Sequence, residues 1–274
     1  MRILITGGYG FVGANLYNAL KKDKMIEVSK LPYPIDITDK NKMSEYFKIF
    51  NPEIVVHSAA LVSSVFCDIA GKKLTEKVNV EGTKNVVELC DKHNAKIIYF
   101  GTTASYAPTN ELITEESKIA PQTLYGKTKY EGEKIVKKSN DWLILRLAYI
   151  FGPNDRVSNI MSIINAWRQK RILILLANPN AKKDYLFISD AIEAIIRAIK
   201  NDLSGVYNIS RQDARTFSQI VLYLNSKGIN PVVYFRPEKD YLGTHLVSSE
   251  KFRKETGWKP KITVEEGIDK CLKR

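Results

Sequence analysis

The amino-acid sequence predicts an α/β fold, namely a doubly wound parallel sheet with a smaller C-terminal lobe. Short apolar runs alternate with amphipathic stretches over residues 1–150, a pattern typical of parallel strands joined by crossover helices. A glycine-rich turn lies between the first strand and the first helix. The alternation loosens after Gly152-Pro153, which indicates that the smaller lobe begins there.

Each predicted strand is a short apolar run, and each predicted helix has apolar residues at helical spacing. The strands, in order, are Arg2–Thr6, Ile26–Ser29, Ile54–His57, Lys96–Gly101, Trp142–Ile150 and a late addition to the sheet, Gly205–Ile209. The helices are Phe11–Lys21, Lys40–Phe50, Lys72–His93, Pro121–Ser139, Val157–Gln169, Ser189–Lys200 and Thr216–Lys227. We expect residues 1–150 and about 184–207 to form the sheet domain, and about 151–183 and 208–274 to form the lobe.

The glycine-rich turn, Thr6–Gly13, satisfies both the G-x-G-x-x-G and the G-x-x-G-x-x-G pattern. Glycine permits a tight turn and lets the backbone approach a pyrophosphate, which then lies on the N–H groups at the positive end of the helix dipole. Between a strand and a helix, this motif predicts a Rossmann-type dinucleotide site. The expected contacts are Gly7, Gly10, Phe11, Val12 and Gly13.

The tip of the second strand predicts which dinucleotide binds. This fingerprint normally carries an acidic residue about 20 positions further on, which binds the ribose 2′-hydroxyl. Here the tip offers Ser29 and Lys30, and a hydroxyl with an ammonium suits a 2′-phosphate better. The sequence therefore favours NADP(H), with NAD(H) as the alternative and an exposed loop lysine as the other interpretation of Lys30. We expect Asp36 and Ile37 near the adenine.

Tyr125 and Lys129 are four residues apart on a predicted helix, so both side chains lie on one face. An ammonium near a phenol favours the phenolate, and we therefore expect Lys129 to lower the pKa of Tyr125. Such a tyrosine exchanges a proton with a carbonyl or carbinol oxygen near neutral pH. The pair predicts catalysis of hydride transfer with a nicotinamide cofactor.

With these motifs on one chain, the sequence resembles the extended short-chain dehydrogenase/reductase family, of the NAD-dependent epimerase/dehydratase type. The resemblance covers nearly the whole chain and implies that Tyr125 and Lys129 are the catalytic pair. Further matching segments are His57–Ala60, Asn79–Thr83, Leu145–Leu147, Phe151–Pro153, Lys183–Tyr185, Ser189-Asp190 and Gly257–Pro260. The resemblance also implies cofactor contacts by Ser58, Ala59, Ala60, Asn79 and Tyr149.

The family's third catalytic position is a serine or threonine four residues before a tyrosine, which corresponds to Thr102 ahead of Tyr106. The resemblance implies that the Thr102 hydroxyl binds the reacting oxygen, with Thr103 and Ser105 as alternatives. Lys183 and Arg236 are the expected cations for a substrate diphosphate, and a solvated surface side chain is the alternative for each. The implied substrate residues are Ser63, Thr103, Tyr106, Asn159, Lys183 and Arg236, with Arg168 as a weaker candidate.

At some positions the sequence departs from the family's pattern, and these departures reduce the number of reactions that the resemblance implies. Dehydratases carry Asp-Glu just after the threonine, whereas this chain has Thr103-Ala104, so we exclude water elimination. The short segment before Ile54 and the run Tyr125–Glu133 resemble the dTDP-4-dehydrorhamnose reductase branch, which favours reduction of a nucleotide-linked 4-keto sugar. A nucleotide-sugar 4-epimerase is the alternative, because Gly257–Pro260 is closer to epimerases. A non-sugar carbonyl reductase and a non-catalytic cofactor-binding regulatory subunit are less favoured.

Composition and charge set the remaining expectations. The net charge is +12, but the lysines are spread along the chain without a basic run interleaved with aromatics, so we expect no nucleic-acid partner. No apolar run reaches the ~18–20 residues of a membrane span, and the N-terminus lacks a signal-peptide pattern, which favours a cytoplasmic protein without a membrane partner. Three scattered cysteines predict neither disulfides nor a metal site.

The resemblance also implies a homodimer in which two long helices of each subunit, Lys72–His93 and Pro121–Ser139, form a four-helix bundle. Two interpretations of their apolar positions stay open, since these side chains cover either a partner or the sheet. The positions concerned are Val78, Val86, Val87 and Leu89.

Overall fold

A computed structural model describes residues 1–240 and 243–273 of the chain. Its strands are β1 (Arg2–Thr6), β2 (Glu27–Lys30), β3 (Ile54–His57), β4 (Lys96–Thr102), β5 (Leu112–Ile113), β6 (Trp142–Leu147), β7 (Tyr149–Phe151), β8 (Leu173–Leu175), β9 (Lys182–Phe187), β10 (Gly205–Ile209), β11 (Ala214–Thr216), β12 (Val233–Phe235) and β13 (Leu246–Val247). Six of them form a parallel sheet in the order β10-β6-β4-β3-β1-β2. The order reverses between β1 and β3, and α/β sheets bind ligands outside the carboxyl ends of strands at such a point.

Helices cover both faces of this sheet, which confirms the predicted α/β class. They are α1 (Phe11–Leu20), α2 (Lys40–Phe50), α3 (Ser64–Ala70), α4 (Lys72–Glu76), α5 (Gly82–Lys92), α6 (Leu124–Val136), α7 (Asn159–Arg168), α8 (Ile188–Lys200), α9 (Phe217–Ser226), α10 (Glu250–Thr256) and α11 (Val264–Leu272). Side chains alternate between faces along each strand. Ile3 and Ile5 therefore meet α1 and α8, while Leu4 meets α2 and α5 on the opposite face.

Three predicted elements differ from the structure in instructive ways. The predicted helix Lys72–His93 is interrupted by a π-helical turn at Lys77–Glu81. The predicted helix from Pro121 begins at Leu124, because the Thr123 hydroxyl accepts the N–H of Gly126 and caps the helix there. The predicted strand Trp142–Ile150 is two strands, since β6 belongs to the main sheet and β7 pairs with β9 in another.

Of the two interpretations of the apolar positions on the long helix, the structure supports covering of the sheet. Val86, Val87 and Leu89 are buried in this single chain against β1, β3 and β4, and Val78 packs against the same cluster. These side chains are therefore not free to contact a partner.

The C-terminal part contributes strands to three small sheets. Their strand orders are β11-β9-β7, β12-β8 and β13-β5. Its core is continuous with one face of the main sheet, because Phe217, Phe252 and Trp258 belong to the same buried cluster as Ile3 and Ile5. Among the described residues, no helix is both long and apolar enough to cross a membrane.

Candidate active site

The glycine turn lies at the carboxyl end of β1 and packs against the segment that follows β3. Gly7 has a φ of +66°, and a Cβ on it would lie 2.6 Å from the backbone nitrogen of Ala59. A Cβ on Gly13 would lie 2.4 Å from the carbonyl oxygen of Gly7. Both positions thus require glycine, one for its backbone conformation and for space, the other for close packing of helix on turn.

The N-terminus of α1 presents free backbone donors at this turn. The first bond of the helix runs from the Ala14 N–H to the Gly10 carbonyl, so the preceding N–H groups of Phe11, Val12 and Gly13 have no intrahelical acceptor. No side chain of the described residues caps this end. An uncapped helix start beside a glycine cradle fits the pyrophosphate of a dinucleotide.

The tip of β2 borders the same turn. The Lys30 ammonium lies 4.7 Å from the ring centroid of Tyr9 and 4.4 Å from that of Tyr17. A Cβ on Gly8 would come within 2.6 Å of the Lys30 side chain. The Ser29 hydroxyl is 2.7 Å from the Tyr46 hydroxyl. The predicted 2′-phosphate residues therefore lie next to the glycine turn.

The two residues predicted near the adenine differ in their exposure to solvent. Asp36 is exposed, and its carboxylate accepts the N–H of Thr38 at 2.8 Å. Ile37 is buried against Gly82, where a Cβ would lie 2.6 Å from the Ile37 side chain. The Ile37 side chain thus packs between its loop and α5, and its contact with a cofactor stays a prediction.

Tyr125 and Lys129 lie on α6, which packs closely on the end of β4. The Thr102 side chain is close enough to the Tyr125 phenol to lower its pKa, so the predicted catalytic tyrosine and threonine are neighbours. This approach is close because Gly126 faces the turn Thr103–Ser105, where a Cβ would lie 2.5 Å from the Ala104 carbonyl oxygen.

The acidities of this pair differ from the prediction. Burial raises the pKa of Tyr125 to about 12 and outweighs the effect of the Thr102 side chain, which lowers it. Burial lowers the pKa of Lys129 to about 7, against an opposing contribution from Glu133. The expected net lowering of the Tyr125 pKa by Lys129 is therefore wrong for this structure, because desolvation of the phenolate dominates.

Cys67 of α3 faces the same pair. Its thiol donates to the Leu61 carbonyl at 3.5 Å. Burial raises its pKa to about 11, although the neighbouring Lys129 opposes this shift. The thiol is therefore protonated at neutral pH.

A buried polar network lies beneath the Tyr125–Lys129 pair and includes Tyr106, one of the predicted substrate residues. Arg146 binds Glu133 through Nε and Nη2, and its Nη1 donates to the Tyr106 hydroxyl at 2.8 Å. That hydroxyl donates to Asn208 at 2.8 Å. Tyr106 and Thr103 are both buried, and their contact with a substrate stays a prediction. Tyr106 belongs to the core because both partners of its hydroxyl lie there.

Asn79 is also a structural residue. Its side-chain carbonyl accepts the Leu61 N–H at 2.8 Å, and its amide group donates to the Leu61 carbonyl and to Thr128. It is 1% exposed and lies in the π-helical turn. Asn79 therefore ties the segment after β3 to α6, and its direct contact with a cofactor stays a prediction.

Lys183, a predicted diphosphate cation, is buried. Its ammonium lies 3.2 Å from the Asp240 carboxylate and also donates to the Gly243 carbonyl. Burial lowers the pKa of Lys183, and Asp240 opposes this effect. Asp240 is thus the ion-pair partner of Lys183 in this structure, and diphosphate binding by Lys183 stays a prediction.

The other predicted substrate residues are more open. Arg236 is exposed directly after β12, with Glu238 at 3.8 Å. Asn159 is the first residue of α7, and Ser63 is half-buried at the start of α3 with a φ of +75°. The weaker candidate, Arg168, donates to the carbonyls of Cys271 and Leu272 at the end of α11, which is a structural role.

Tyr149 is the first residue of β7 and lies near Tyr125. Its ring is 5.9 Å from that of Tyr185 and 6.4 Å from that of His245. Burial raises the pKa of Tyr149, and the charges of Asp240 and of an ionised Tyr125 would act in the same direction. Tyr149 is thus placed between the catalytic pair and the Lys183–Asp240 pair.

Comparisons with known proteins agree with this geometry. The model of the NAD-dependent epimerase/dehydratase family matches residues 3–210. The chain belongs to this family. It is accordingly an enzyme of the extended short-chain dehydrogenase/reductase type, as the sequence predicted.

Relatives of the family match nearly the whole chain. A putative UDP-glucose 4-epimerase of Methanocaldococcus jannaschii is 25% identical over 98% of this chain and 97% of its own length. The dTDP-4-dehydro-6-deoxyglucose reductase of Escherichia coli is 23% identical over 99% and 96%. The crystal structure of the Thermotoga maritima UDP-glucose 4-epimerase with UDP-glucose has a TM-score of 0.89 at 23% identity, covering 100% of this chain and 98% of that one. That of the Thermus thermophilus enzyme with NAD has a TM-score of 0.88 at 23% identity, with the same coverage.

The Gly257–Pro260 segment has a structural role in this family member. Gly257 has a φ of +66° and ends α10. The buried Trp258 ring packs on Phe252 at 5.7 Å, and its indole N–H donates to the Asp190 carbonyl at 3.2 Å. The segment thus fastens the C-terminal region to α8, away from the catalytic pair.

Sequence reasoning missed the residues that surround Lys129. Glu133 is four residues further along α6, and the helical spacing that joined Tyr125 to Lys129 would have found it. Tyr99 and His57 come from two other strands, and no local pattern links them to Lys129. The Tyr99 ring is the nearest of these contacts.

Proposed function

We propose that the chain is a nicotinamide-dependent oxidoreductase that reduces the 4-keto group of a nucleotide-linked sugar, with Tyr125 as proton donor. The observation that carries this proposal is the proximity of the Tyr125 phenol and the Thr102 side chain, where α6 packs on the end of β4. Two hydroxyls from a helix and a strand converge on one point, which suits recognition of a single carbonyl oxygen.

The proposed roles follow from the pKa values of Tyr125 and Lys129. A phenol with a pKa of about 12 is protonated at neutral pH, so Tyr125 is ready to donate to a carbonyl oxygen as negative charge develops on it. The Thr102 hydroxyl binds the same oxygen and orients it. A bound nicotinamide supplies the hydride. Lys129 contributes positive charge next to the site when it is protonated.

The proposed cofactor is NADP(H), with NAD(H) as the alternative. The uncapped start of α1 and the glycine cradle fit either dinucleotide. Lys30 and Ser29 favour the 2′-phosphate, because they provide an ammonium and a hydroxyl next to the turn. NAD is supported by the Thermus thermophilus relative, which was crystallised with it.

The proposed substrate class is supported by the relatives and by the exposed Arg236 of the C-terminal region. The Thermotoga maritima relative was crystallised with UDP-glucose, and the Escherichia coli relative is a reductase of a dTDP-linked sugar. Arg236 and Asn159 are the proposed phosphate contacts. Lys183 ranks below them, because Asp240 already pairs with it.

The test is to incubate the purified chain with NADPH or NADH and a panel of UDP-, dTDP- and GDP-linked 4-keto sugars. We expect one pair to consume the reduced cofactor and yield the 4-hydroxy sugar, followed by cofactor absorbance and mass spectrometry. A complete panel without turnover, with cofactor binding intact, would contradict the proposal and favour the regulatory-subunit alternative.

A nucleotide-sugar 4-epimerase is the second candidate, favoured by the 25%-identical relative that spans almost the whole chain. The same hydroxyl pair would serve it, with Tyr125 accepting the proton in the first half-reaction and returning it in the second. Incubation with UDP-glucose and NAD distinguishes the candidates, because an epimerase inverts the 4-hydroxyl without net consumption of cofactor.

We further propose that the chain forms a homodimer and that residues 1–150 with about 184–207 bind cofactor while the rest of the chain binds substrate. The dimer is supported by exposed apolar side chains beside the long helices, since such patches are typical of interfaces. They are Val65, Phe66, Ile69 and Leu74. Light scattering on the wild type and on Phe66→Ser tests this, and a wild-type monomer would contradict it.

A further inference from the structure

The ammonium of Lys129 lies on an aromatic face. Its Nζ is 3.9 Å from the ring centroid of Tyr99, a fully buried residue of β4. Among the described residues, no carboxylate lies within ion-pair distance of this Nζ. The Tyr99 ring is therefore the direct electrostatic partner of Lys129, because an aromatic face carries negative potential.

A second contact joins the same two residues. The Tyr99 hydroxyl donates to the backbone carbonyl of Lys129 at 3.1 Å. The helix has space for this hydroxyl only because residue 132 is glycine, where a Cβ would lie 2.3 Å from the Tyr99 oxygen. One side chain thus holds both the ammonium of Lys129 and the helical turn that carries it.

The other groups that face Lys129 are neutral or already paired. The His57 ring is tilted against the Tyr99 ring at 5.6 Å, and burial together with the charge of Lys129 lowers the pKa of His57 to about 3, so it is neutral. The Cys67 thiol is protonated, and so is Tyr125. Glu133 bears a charge, but Arg146 binds its carboxylate. The aromatic ring is therefore the contact whose removal should change Lys129 most directly.

We propose that Tyr99 is the positioning residue of Lys129, with its ring holding the ammonium and its hydroxyl fixing the turn of α6. This inference rests on the proposed function for its catalytic consequence, but not for the contact itself. Two substitutions separate the contribution of the ring from that of the hydroxyl, because Tyr99→Phe removes only the hydroxyl and Tyr99→Leu removes both. Phe100→Leu is the matched control, since it removes a buried ring from the opposite face of the same strand.

The experiment measures the titration of Lys129 by NMR with isotope-labelled lysine, and Lys129→Met assigns the signal. We expect one lysine of the wild type to titrate near pH 7. Loss of the aromatic face disfavours the charged form, so Tyr99→Leu should lower this pKa by about one unit. Tyr99→Phe and Phe100→Leu should leave it in place. An unchanged pKa in folded Tyr99→Leu, or an equal shift in Phe100→Leu, would overturn the proposal.

Kinetics then test the catalytic consequence separately. If the proposed function holds, the alkaline limb of the kcat/KM profile should move to lower pH in Tyr99→Leu, with about tenfold lower activity above that limb. The limb should not move in Phe100→Leu. A pKa shift in a chain that turns over no substrate would contradict the proposed function and leave the positioning role supported.

Discussion

At the scale of single residues, desolvation determines the direction in which the pKa values of the candidate catalytic pair are shifted. Tyr125 keeps its proton because burial raises its pKa to about 12, and Lys129 releases its proton readily because burial lowers its pKa to about 7. Both shifts favour the neutral form of each group. A protonated phenol is the state that a reduction requires, whereas an epimerase must first form the phenolate.

Replacement of Tyr125 by phenylalanine tests its role as proton donor. We expect Tyr125→Phe to lower kcat by about 100-fold or more, because the proton then has no donor at the carbonyl oxygen. The dissociation constant of the cofactor, measured by fluorescence titration, should change little. Tyr130→Phe is the control, since this tyrosine lies on the same helix and is partly exposed. Full activity in Tyr125→Phe would refute the assignment.

Replacement of Lys30 tests the preference for a 2′-phosphate. We expect Lys30→Met to weaken NADPH binding by about tenfold and to leave NADH binding nearly unchanged, because only the phosphate loses a charged partner. Isothermal titration with both cofactors measures this difference. Lys24→Met, at an exposed lysine nearby, should affect neither. Equal effects on the two cofactors would show that Lys30 does not select between them.

At the scale of elements, one buried histidine ties three of them together. The Thr83 hydroxyl of α5 donates its proton to the Asn79 carbonyl, so His57 Nε2 must be the donor to Thr83 at 3.0 Å. Nδ1 of His57 then accepts the Thr6 hydroxyl of β1 at 2.7 Å. The neutral ring thus satisfies both of its nitrogens between β1, β3 and α5, and a second proton would break one of these bonds.

This arrangement predicts a defined pH dependence of stability. The pKa of folded His57 is lowered from 6.5 to about 3, so between these values the unfolded chain binds a proton that the folded chain does not. The free energy of unfolding should therefore fall as pH drops through this range, by a few kcal/mol at most. Denaturant titrations should show a shallower dependence in His57→Gln. Burial also lowers the pKa of the partly exposed His93, so His93→Gln should reduce this dependence too, but by less than His57→Gln because His93 is not fully buried. An equal pH dependence in the wild type and in His57→Gln would contradict the assignment.

The same elements show what the sequence could predict. The glycine turn and the Tyr125–Lys129 pair are local, because their members lie within one turn of chain or helix, and periodicity was enough to find them. Tyr106 could not be placed in this way, since its hydroxyl is shared by Arg146 and Asn208, which are 40 and 102 residues away. The ion pair of Lys183 could not be predicted either, because its partner, Asp240, is 57 residues distant. Burial of a polar group is decided by such remote partners, and one sequence does not reveal them.

At the scale of the whole molecule, the two parts of the chain share one core. Trp258 packs on Phe252, donates to the backbone of α8, and belongs to the buried cluster that reaches Ile3 and Ile5 in the main sheet. The Asp190 carboxylate accepts the N–H groups of Lys261 and Ile262, which fastens the following segment to the same helix. A continuous apolar core of this kind couples the stability of the C-terminal region to that of the sheet.

Truncation of Trp258 tests this coupling. We expect Trp258→Ala to lower the free energy of unfolding by about 3–5 kcal/mol, because it leaves a cavity in the shared core. Since the core is continuous, the wild type and the variant should each unfold in one transition, with circular dichroism and tryptophan fluorescence giving the same midpoint. Lys259→Ala, at the exposed neighbouring residue, should leave the midpoint unchanged. If Trp258→Ala produced an early transition in fluorescence while the sheet signal kept the wild-type midpoint, the C-terminal region would unfold independently. The C-terminal region would then be a separable unit instead of an extension of the sheet domain.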